Sequence, residues 1–239
     1  MPLQSVEPQR LYRQIAEQLR SLIASGEFQP GSRLPAERDL ARQLGVSRPT
    51  VREALIALEV EDVVDVRTGS GIYVVQPGSR TGAAQSQAPS EQAEWGPLEL
   101  MRARELVEGE VAALAARNAK KAQVAAIGAA LAQMQEQAAA GVVPRAGDQA
   151  FHTAVAQACG NEVLRDTVHG YWRARGPLYE RLGDHFESPA SWKAALLEHE
   201  AVFEAIRAHD PAAARTAMQS HLKKAYTRYS ASWRRANSS

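Results

Sequence analysis

The chain has 239 residues, 45% of them hydrophobic and 23% charged, which is ordinary globular composition rather than that of a disordered protein. Its 28 basic and 27 acidic side chains give a formal net charge of +1, which excludes a strongly basic polymer binder but not a local basic site. The single cysteine, Cys159, excludes an intramolecular disulfide and a cysteine-ligated zinc site. Since no apolar run approaches the roughly 18–20 residues of a membrane span and the N-terminus lacks the apolar core of a signal peptide, we expect a soluble, cytoplasmic protein without a membrane partner.

Three helices are predicted in the first quarter of the chain. Apolar residues at helical spacing indicate the first helix over residues 9–25. A short second helix follows Pro35 and ends at Gly45, and Ser47 is a natural N-cap for the third. Two short helices joined by a turn that contains glycine are typical of a helix-turn-helix.

Two β-rich segments follow the third helix, at residues 63–67 and 71–75. They flank the short run Thr68-Gly69-Ser70, which favours a turn. The pattern predicts a hairpin, or wing, packed beside the helices.

The composition then changes sharply, because residues 76–96 are rich in Pro, Gly, Ser, Gln and Ala. We therefore predict a winged helix-turn-helix domain at residues 1–76, a linker at 77–97 and a second domain at 98–235. The second domain is Ala-rich and has helical spacing almost throughout. It is predicted to form an all-helical antiparallel bundle, so that the fold class is mainly α. The expected helices lie near residues 98–118, 121–140, 145–159, 161–182, 190–208 and 211–233.

A local excess of positive charge marks the helix-turn-helix. Residues 33–53 contain five arginines against three acids. In this motif the start of the third helix is the end that enters the major groove. An arginine there can donate two hydrogen bonds to guanine, whereas serine and threonine hydroxyls more often bind phosphates. The alternative interpretation is that these arginines only solvate a polar helix face. The residues of interest here are Ser47, Arg48, Thr50 and Arg52.

The second domain carries a candidate set of metal ligands. Asp148 and His152 are four residues apart and therefore lie on one helix face. His199 and His221 fall in two further predicted helices. One carboxylate and three imidazoles suit Zn²⁺ or another divalent transition metal. Taken alone, however, a pair such as Asp148 and His152 is more often a hydrogen-bonding pair at the surface or in the core.

The N-terminal motifs, Leu34-Pro35-Ala36-Glu37-Arg38-Asp39-Leu40-Ala41 and Gly45-Val46-Ser47-Arg48 with Thr50-Val51-Arg52-Glu53-Ala54-Leu55, closely resemble the winged helix-turn-helix of GntR-family bacterial transcription regulators. The resemblance implies Arg38, Arg48 and Arg52 as the main DNA contacts. It also implies that Ser47 and Thr50 assist and that Gly69 lets the wing tip approach the minor groove. Pro49 departs from the small polar residue that many relatives have, so any contact at that position would be lost.

The C-terminal motifs resemble the FCD ligand domain of the FadR subfamily of these regulators. They are Arg104-x-x-x-Glu108, Asp148-x-x-Phe151-His152, Gly160-Asn161-x-x-Leu164, Glu198-His199-x-x-Val202 and Met218-x-x-His221-Leu222. In metal-binding members the Asp and three His of this pattern hold the ion, and an effector carboxylate binds the metal beside an arginine. Arg104 matches that arginine. A salt bridge between Arg104 and Glu108, one turn later, is a compatible alternative role.

The resemblance implies a homodimeric, ligand-responsive regulator, usually a repressor, that binds a pseudo-palindromic operator in double-stranded DNA. The expected cofactor is a divalent transition metal, Zn²⁺ first, with Ni²⁺ and Mn²⁺ as alternatives, and the expected effector is a small organic acid. The wing and the helix end at residues 58–60 are similar to those of regulators of sugar-acid catabolism, which favours a sugar acid. We expect no enzymatic activity. The alternatives are a metal-dependent hydrolase fused to a DNA-binding module and a regulator with a metal-free acyl-CoA site.

Several residues lie outside these patterns. His169, His185 and His209 are expected at the surface or between helices. Tyr171 and Trp172 could line a pocket, although aromatic residues at such positions more often belong to the core.

Overall fold

A computed structural model of the chain describes residues 10–67, 70–75, 95–186 and 189–236. It divides into two compact units, Met1–Pro97 with Ser232–Ser239, and Leu98–Ala231. Residues 77–94, which make up most of the predicted linker, lie outside the described residues, and the domain boundaries proposed from the sequence remain a prediction.

The first unit contains three helices and a two-stranded antiparallel hairpin, as the helix-turn-helix and wing patterns predicted. The strands pair in a register that sets Val64 opposite Val74 and Arg67 opposite Gly71. The elements are α1 (Leu11–Ala24), α2 (Glu37–Leu44), α3 (Arg48–Val60), β1 (Val64–Arg67) and β2 (Gly71–Val74).

Local caps explain why α2 and α3 are separate helices. Gly45 follows α2 with φ 66° and ψ 28°, the left-handed conformation that glycine adopts without strain. Ser47 then caps α3, and its Oγ accepts a hydrogen bond from the Thr50 amide at 3.3 Å. Pro49 lies in the first turn of α3, where a missing N–H costs nothing. The position of the loop between α2 and α3 is therefore determined by residues that lie in it or directly beside it.

The core of this unit lies between α1, α3 and the hairpin. Leu19 from α1, Leu55 from α3 and Ile72 from β2 are all buried, and α3 packs against both α1 and β1. The wing is also held by a polar contact, since the buried Glu59 carboxylate accepts a hydrogen bond from the Val66 amide at 3.1 Å.

The second unit is a bundle of helices, which confirms a mainly helical fold. The observed bounds differ from the predicted ones by a few residues, most at α7, which continues through Gly183 because a helix tolerates an interior glycine at a cost of about 1 kcal/mol. No described helix is both long and apolar enough to cross a membrane. The helices are α4 (Pro97–Asn118), α5 (Lys121–Ala139), α6 (Arg145–Ala158), α7 (Glu162–Phe186), α8 (Pro189–Arg207) and α9 (Pro211–Ala236).

Small residues let the bundle helices approach closely. A Cβ added at Gly147 of α6 would lie 2.7 Å from the backbone nitrogen of Met134 on α5. Any larger residue there would push α5 and α6 apart, and Gly147 is followed at once by Asp148. The core beneath them is filled by alanines of α4 together with Ile127, Phe151 and other apolar side chains. This packing places one face of α6 against the bundle interior.

Candidate metal centre and DNA-binding surface

Four side chains from three helices meet inside the bundle. Their potential ligand atoms all lie within 4.8 Å of one another. The three histidines are buried and the aspartate is partly exposed. They are Asp148 and His152 of α6, His199 of α8 and His221 of α9.

Short distances show how the side chains converge. Asp148 Oδ1 lies 3.0 Å from His199 Nε2 and 3.5 Å from His152 Nε2. The two Nε2 atoms of His152 and His199 are themselves 3.3 Å apart. Two imidazole nitrogens therefore approach one carboxylate oxygen, as ligand atoms do around a shared ion.

The other ring nitrogen of each histidine is occupied. Every Nδ1 has an acceptor: Glu108 Oε2 for His152, the Ala195 carbonyl at 2.7 Å for His199, and Glu198 Oε2 at 3.0 Å for His221. An acceptor at Nδ1 places the ring hydrogen there and leaves the lone pair on Nε2. The tautomers required of metal ligands are therefore set by the surrounding protein.

Charges around His152 form a buried chain. Burial opposes ionisation of Glu108, but the charges of Arg104 and His152 outweigh it and hold the pKa of that carboxyl well below its ordinary value. Burial likewise opposes the charge on His152, yet Glu108 outweighs it and raises the pKa of the imidazole. A divalent cation bound by His152 would bring a further positive charge close to this carboxylate.

His221 lies in a different electrostatic environment. Burial, with the nearby charge of His199, lowers the pKa of His221 to about 3 in spite of Glu198. Arg228 donates two hydrogen bonds of 2.8 Å to Glu198. Although burial opposes it, Arg228 and His221 lower the pKa of Glu198 to about 2. A neutral imidazole is thus paired with an ionised carboxylate, the combination that a metal ligand needs.

Arg104 lies beside the cluster, buried on the first helix of the bundle unit. Its Nε donates to Glu108 at 2.5 Å, so the salt bridge considered from the sequence is present. The guanidinium also stacks over Trp172, with its carbon 4.8 Å from the ring centroid. Its Nη2 is buried and has no hydrogen-bond partner among the described residues. One donor therefore remains available while the salt bridge holds the side chain in place.

The donor set fits a divalent transition metal, because one carboxylate oxygen and three imidazole nitrogens are ligands of zinc, nickel and manganese. Sequence reasoning missed the supporting carboxylates. Glu108 was recognised only as a partner of Arg104, and Glu198 was named only as part of a family motif. The contact of Glu198 with His221 joins residues 23 apart on different helices, so no spacing in the sequence indicates it.

The arginines proposed to contact DNA differ in exposure. The side chain of Arg38 is 80% exposed. Arg48 is half exposed, and its Nε donates to Glu37 Oε1 at 2.9 Å. Arg52, by contrast, is only 9% exposed and donates to both carboxylate oxygens of the buried Glu37, at 2.8 and 2.9 Å. Arg38 and Arg48 are accessible to a ligand, whereas the guanidinium of Arg52 is occupied inside the unit.

The remaining proposed DNA contacts are two hydroxyl-bearing residues at the start of α3 and Gly69. The hydroxyls of Ser47 and Thr50 are 2.7 Å apart near the N-terminus of α3. Gly69 lies outside the described residues. Glu37 of α2 is the residue that joins Arg48 and Arg52.

Both units match known protein families. Residues 11–74 match the bacterial regulatory proteins of the gntR family, and residues 99–224, more than half of the chain, match the FCD domain. The chain therefore belongs to the GntR family of bacterial transcription regulators, in the group that carries an FCD domain. The prediction of a DNA-binding regulator rather than an enzyme is confirmed by this membership.

Curated relatives support the same assignment over about nine tenths of the chain. The Exu regulon transcriptional regulator of Escherichia coli K12 is 38% identical over 227 residues, covering 92% of this chain and 85% of the relative. The Uxu operon transcriptional regulator of the same strain is 35% identical over 221 residues, covering 90% and 85%. The solved structure of Lar, which controls expression of the Listeria monocytogenes agr system, shares the fold with a TM-score of 0.50, 17% identity and coverage of 95% and 99%.

Proposed function

We propose that this protein is a cytoplasmic repressor that releases operator DNA when a small carboxylate, specifically a sugar acid, binds beside a metal ion in the FCD unit. Such an effector changes DNA affinity only through different affinities for the DNA-competent and DNA-incompetent arrangements. The proposal has three parts, which concern the DNA, the metal and the effector.

The DNA contacts are assigned to the helix-turn-helix. Arg38 and Arg48 are exposed cations that can donate to guanine or phosphate. Ser47 and Thr50 add hydroxyls at the N-terminus of α3, where phosphates are favoured. Arg52 is assigned to the same surface through its pair with Glu37, which also holds Arg48. Gly69 is assigned to the wing tip. A homodimer would place two such units on a pseudo-palindromic operator, because two-fold symmetry requires two half-sites.

One observation supports the assignment of the metal site. Three histidines have their Nδ1 atoms hydrogen-bonded to acceptors, so each can offer its Nε2 lone pair, and their ligand atoms lie within 4.8 Å of one another and of the Asp148 carboxylate. We assign Asp148, His152, His199 and His221 as ligands of a divalent transition metal, with zinc the first choice for this nitrogen-rich set. The ion would supply a positive charge to which an anionic effector can bind.

The effector is assigned from the neighbouring donor. The free Nη2 of Arg104 is a buried hydrogen-bond donor beside the metal ligands, and a carboxylate is the acceptor that a guanidinium pairs with best. The similarity to the Exu and Uxu regulators, together with the wing and helix end described above, favours a sugar acid.

One experiment on matched variants tests these assignments together. Protein purified without chelators should contain about one divalent metal ion per chain by elemental mass spectrometry, and the double variant Asp148→Ala/His199→Ala should contain almost none. The variant should still bind DNA selected from a random pool by the wild type, but sugar acids should no longer release it. His209→Asn is the control, because it removes a histidine outside the cluster at a φ of 53° that asparagine tolerates.

Two results would contradict the proposal. A wild type with substoichiometric metal would favour the metal-free regulator considered above. A double variant that still responds to the acid would place the effector elsewhere. The hydrolase alternative gains no support from the two acids that flank His199, since Glu198 is already bound to Arg228 and His221 and Glu200 is exposed.

A further inference from the structure

A third extended segment, at residues 31–34, lies beside the wing and pairs with β2. The Leu34 amide donates to the Ile72 carbonyl at 2.8 Å, and Arg33 is paired antiparallel with Tyr73. β2 therefore has a partner on each edge, β1 on one side and this segment on the other.

The alternation of side chains divides the wing into two faces. Successive side chains of a strand point to opposite sides, and directly paired residues point to the same side. The inner face is buried and consists of Leu34, Val64, Val66, Ile72 and Val74. The other face, which we call the outer wing face, consists of Arg33, Asp65, Arg67, Gly71 and Tyr73. Both of its arginines are exposed.

Each arginine of the outer wing face lies against the sheet. The guanidinium carbon of Arg67 is 4.5 Å from the Tyr73 ring centroid, and its Nε donates to Asp65 Oδ2 at 3.0 Å. Arg33 covers Gly71, since a Cβ added at Gly71 would lie 2.4 Å from Arg33 Nε. Gly71 also has a φ of 123°, which favours glycine. Two exposed cations are thus placed on one face by contacts within the wing.

The outer wing face has the chemistry of a phosphate-binding surface. Roughly half to two thirds of the hydrogen bonds between proteins and DNA go to phosphates and sugars, and guanidinium groups suit phosphate oxygens. Side chains that lie along the sheet do not reach base edges at the floor of a minor groove about 7.5 Å deep. Phosphates, by contrast, line the outer edges of the groove. Arg67 is also only two residues from Gly69, the proposed wing tip.

We propose that Arg33 and Arg67 bind the phosphate backbone of the operator and so strengthen binding to DNA of any sequence. The sequence preference then comes from the helix-turn-helix, where Arg48 lies. Asp65 shares the outer wing face and opposes the phosphates, so it limits the strength of this contact. The inference rests on the DNA part of the proposed function and adds a second contact surface to it.

The test measures binding of the full chain to two duplexes of equal length over a range of salt concentrations. One duplex is the DNA selected from a random pool by the wild type, and the other is a scrambled version of it. Arg33→Gln and Arg67→Gln each remove a cation, and Asp65→Asn removes the acid of the same face. Arg20→Gln is the matched control, since Arg20 is a partly exposed arginine of α1 that is paired with Glu61.

Each of the two wing arginine variants should weaken binding to both duplexes about tenfold, the effect of one lost charged hydrogen bond. The slope of log affinity against log salt should fall by about one for each protein chain in the complex. Asp65→Asn should instead tighten binding to both duplexes, because it removes a negative charge beside the phosphates. A substitution that only damaged the wing would not strengthen binding. Arg20→Gln should change neither the affinity nor the slope.

A salt slope that neither wing arginine variant changes would overturn this inference, and so would weaker binding by Asp65→Asn. A loss confined to the selected duplex would also overturn it, because the arginines would then read bases. The recognition helix is tested separately with Arg48→Ala, which should lose the preference for the selected duplex. If that preference survives, the assignment of Arg48 fails while the outcome for the outer wing face still depends on its own variants.

Discussion

At the scale of single residues, Glu37 supports the proposed DNA-binding surface from within the first unit. Its carboxylate is almost fully buried, yet it accepts hydrogen bonds from two arginines of the next helix. A buried carboxylate is costly to desolvate, and the bidentate partner Arg52 compensates for that cost. The same carboxylate orients Arg48, whose guanidinium is partly exposed. Glu37 is therefore a positioning residue for the proposed contact with DNA.

Glu37→Ala should lower the free energy of unfolding by about 3 kcal/mol, because it leaves the buried charge of Arg52 unpaired. It should also weaken binding to the selected DNA about tenfold through loss of the Arg48 orientation. Denaturant unfolding and fluorescence anisotropy measure the two effects.

Asp39→Ala is the matched control for this prediction. Asp39 also lies in the first turn of α2, but its contacts with Arg42 at 3.3 Å and Arg38 at 3.7 Å are at the surface. Both variants lose a favourable acid at a helix N-terminus, so the difference between them isolates the buried pair. Equal destabilisation by the two variants would show that the Glu37–Arg52 pair adds nothing to the free energy of unfolding.

At the scale of elements, Ser47 at the N-terminus of α3 has two proposed roles. Ser47 caps the helix through its Oγ, and the same hydroxyl is a proposed phosphate contact. The roles can be separated, because aspartate caps a helix about as well as serine does but repels a phosphate.

Ser47→Ala should therefore cost about 1 kcal/mol of stability, whereas Ser47→Asp should keep the stability and lose most of the affinity for DNA. Thermal unfolding and anisotropy titrations give the two values. If Ser47→Asp binds DNA as the wild type does, the N-terminus of α3 does not face the phosphates.

At the scale of the whole molecule, the proposed metal would join three helices that are distant in the sequence. Residues from α6, α8 and α9 would all bind one ion. A ligand that binds only the folded state stabilises it by about 4 kcal/mol at a thousand times its Kd. The ion would then act as a cross-link of the bundle as well as the anchor of the effector.

Removal of the metal with a chelator should therefore lower the Tm by about 10 °C, and added zinc should restore it. Scanning calorimetry of the full chain measures the shift. The chelator should leave the Tm of Asp148→Ala/His199→Ala unchanged, and an equal shift in that variant would show that the chelator acts at some other place.

Sequence reasoning performed best where the causes are local. The helix-turn-helix followed from Gly45 and Ser47, whose conformations and caps involve neighbours a few residues away. It was weakest at α7, where Gly183 suggested an end that the longer helix does not have. The four proposed ligands were found through family motifs, since spacing alone left Asp148 and His152 open to a simpler role.

The sequence by itself determined the helices, the wing, the class of protein and the identity of the clustered side chains, because periodicity, caps and motifs are written in short stretches of chain. Only the tertiary structure decided which carboxylates support the proposed DNA-binding arginines and the clustered histidines. Glu37 with Arg52, Glu108 with His152 and Glu198 with His221 join residues 15, 44 and 23 apart. These pairs set the orientation of an arginine and the tautomers of two histidines through burial and charge. Burial and charge at these positions arise only when separate helices pack together.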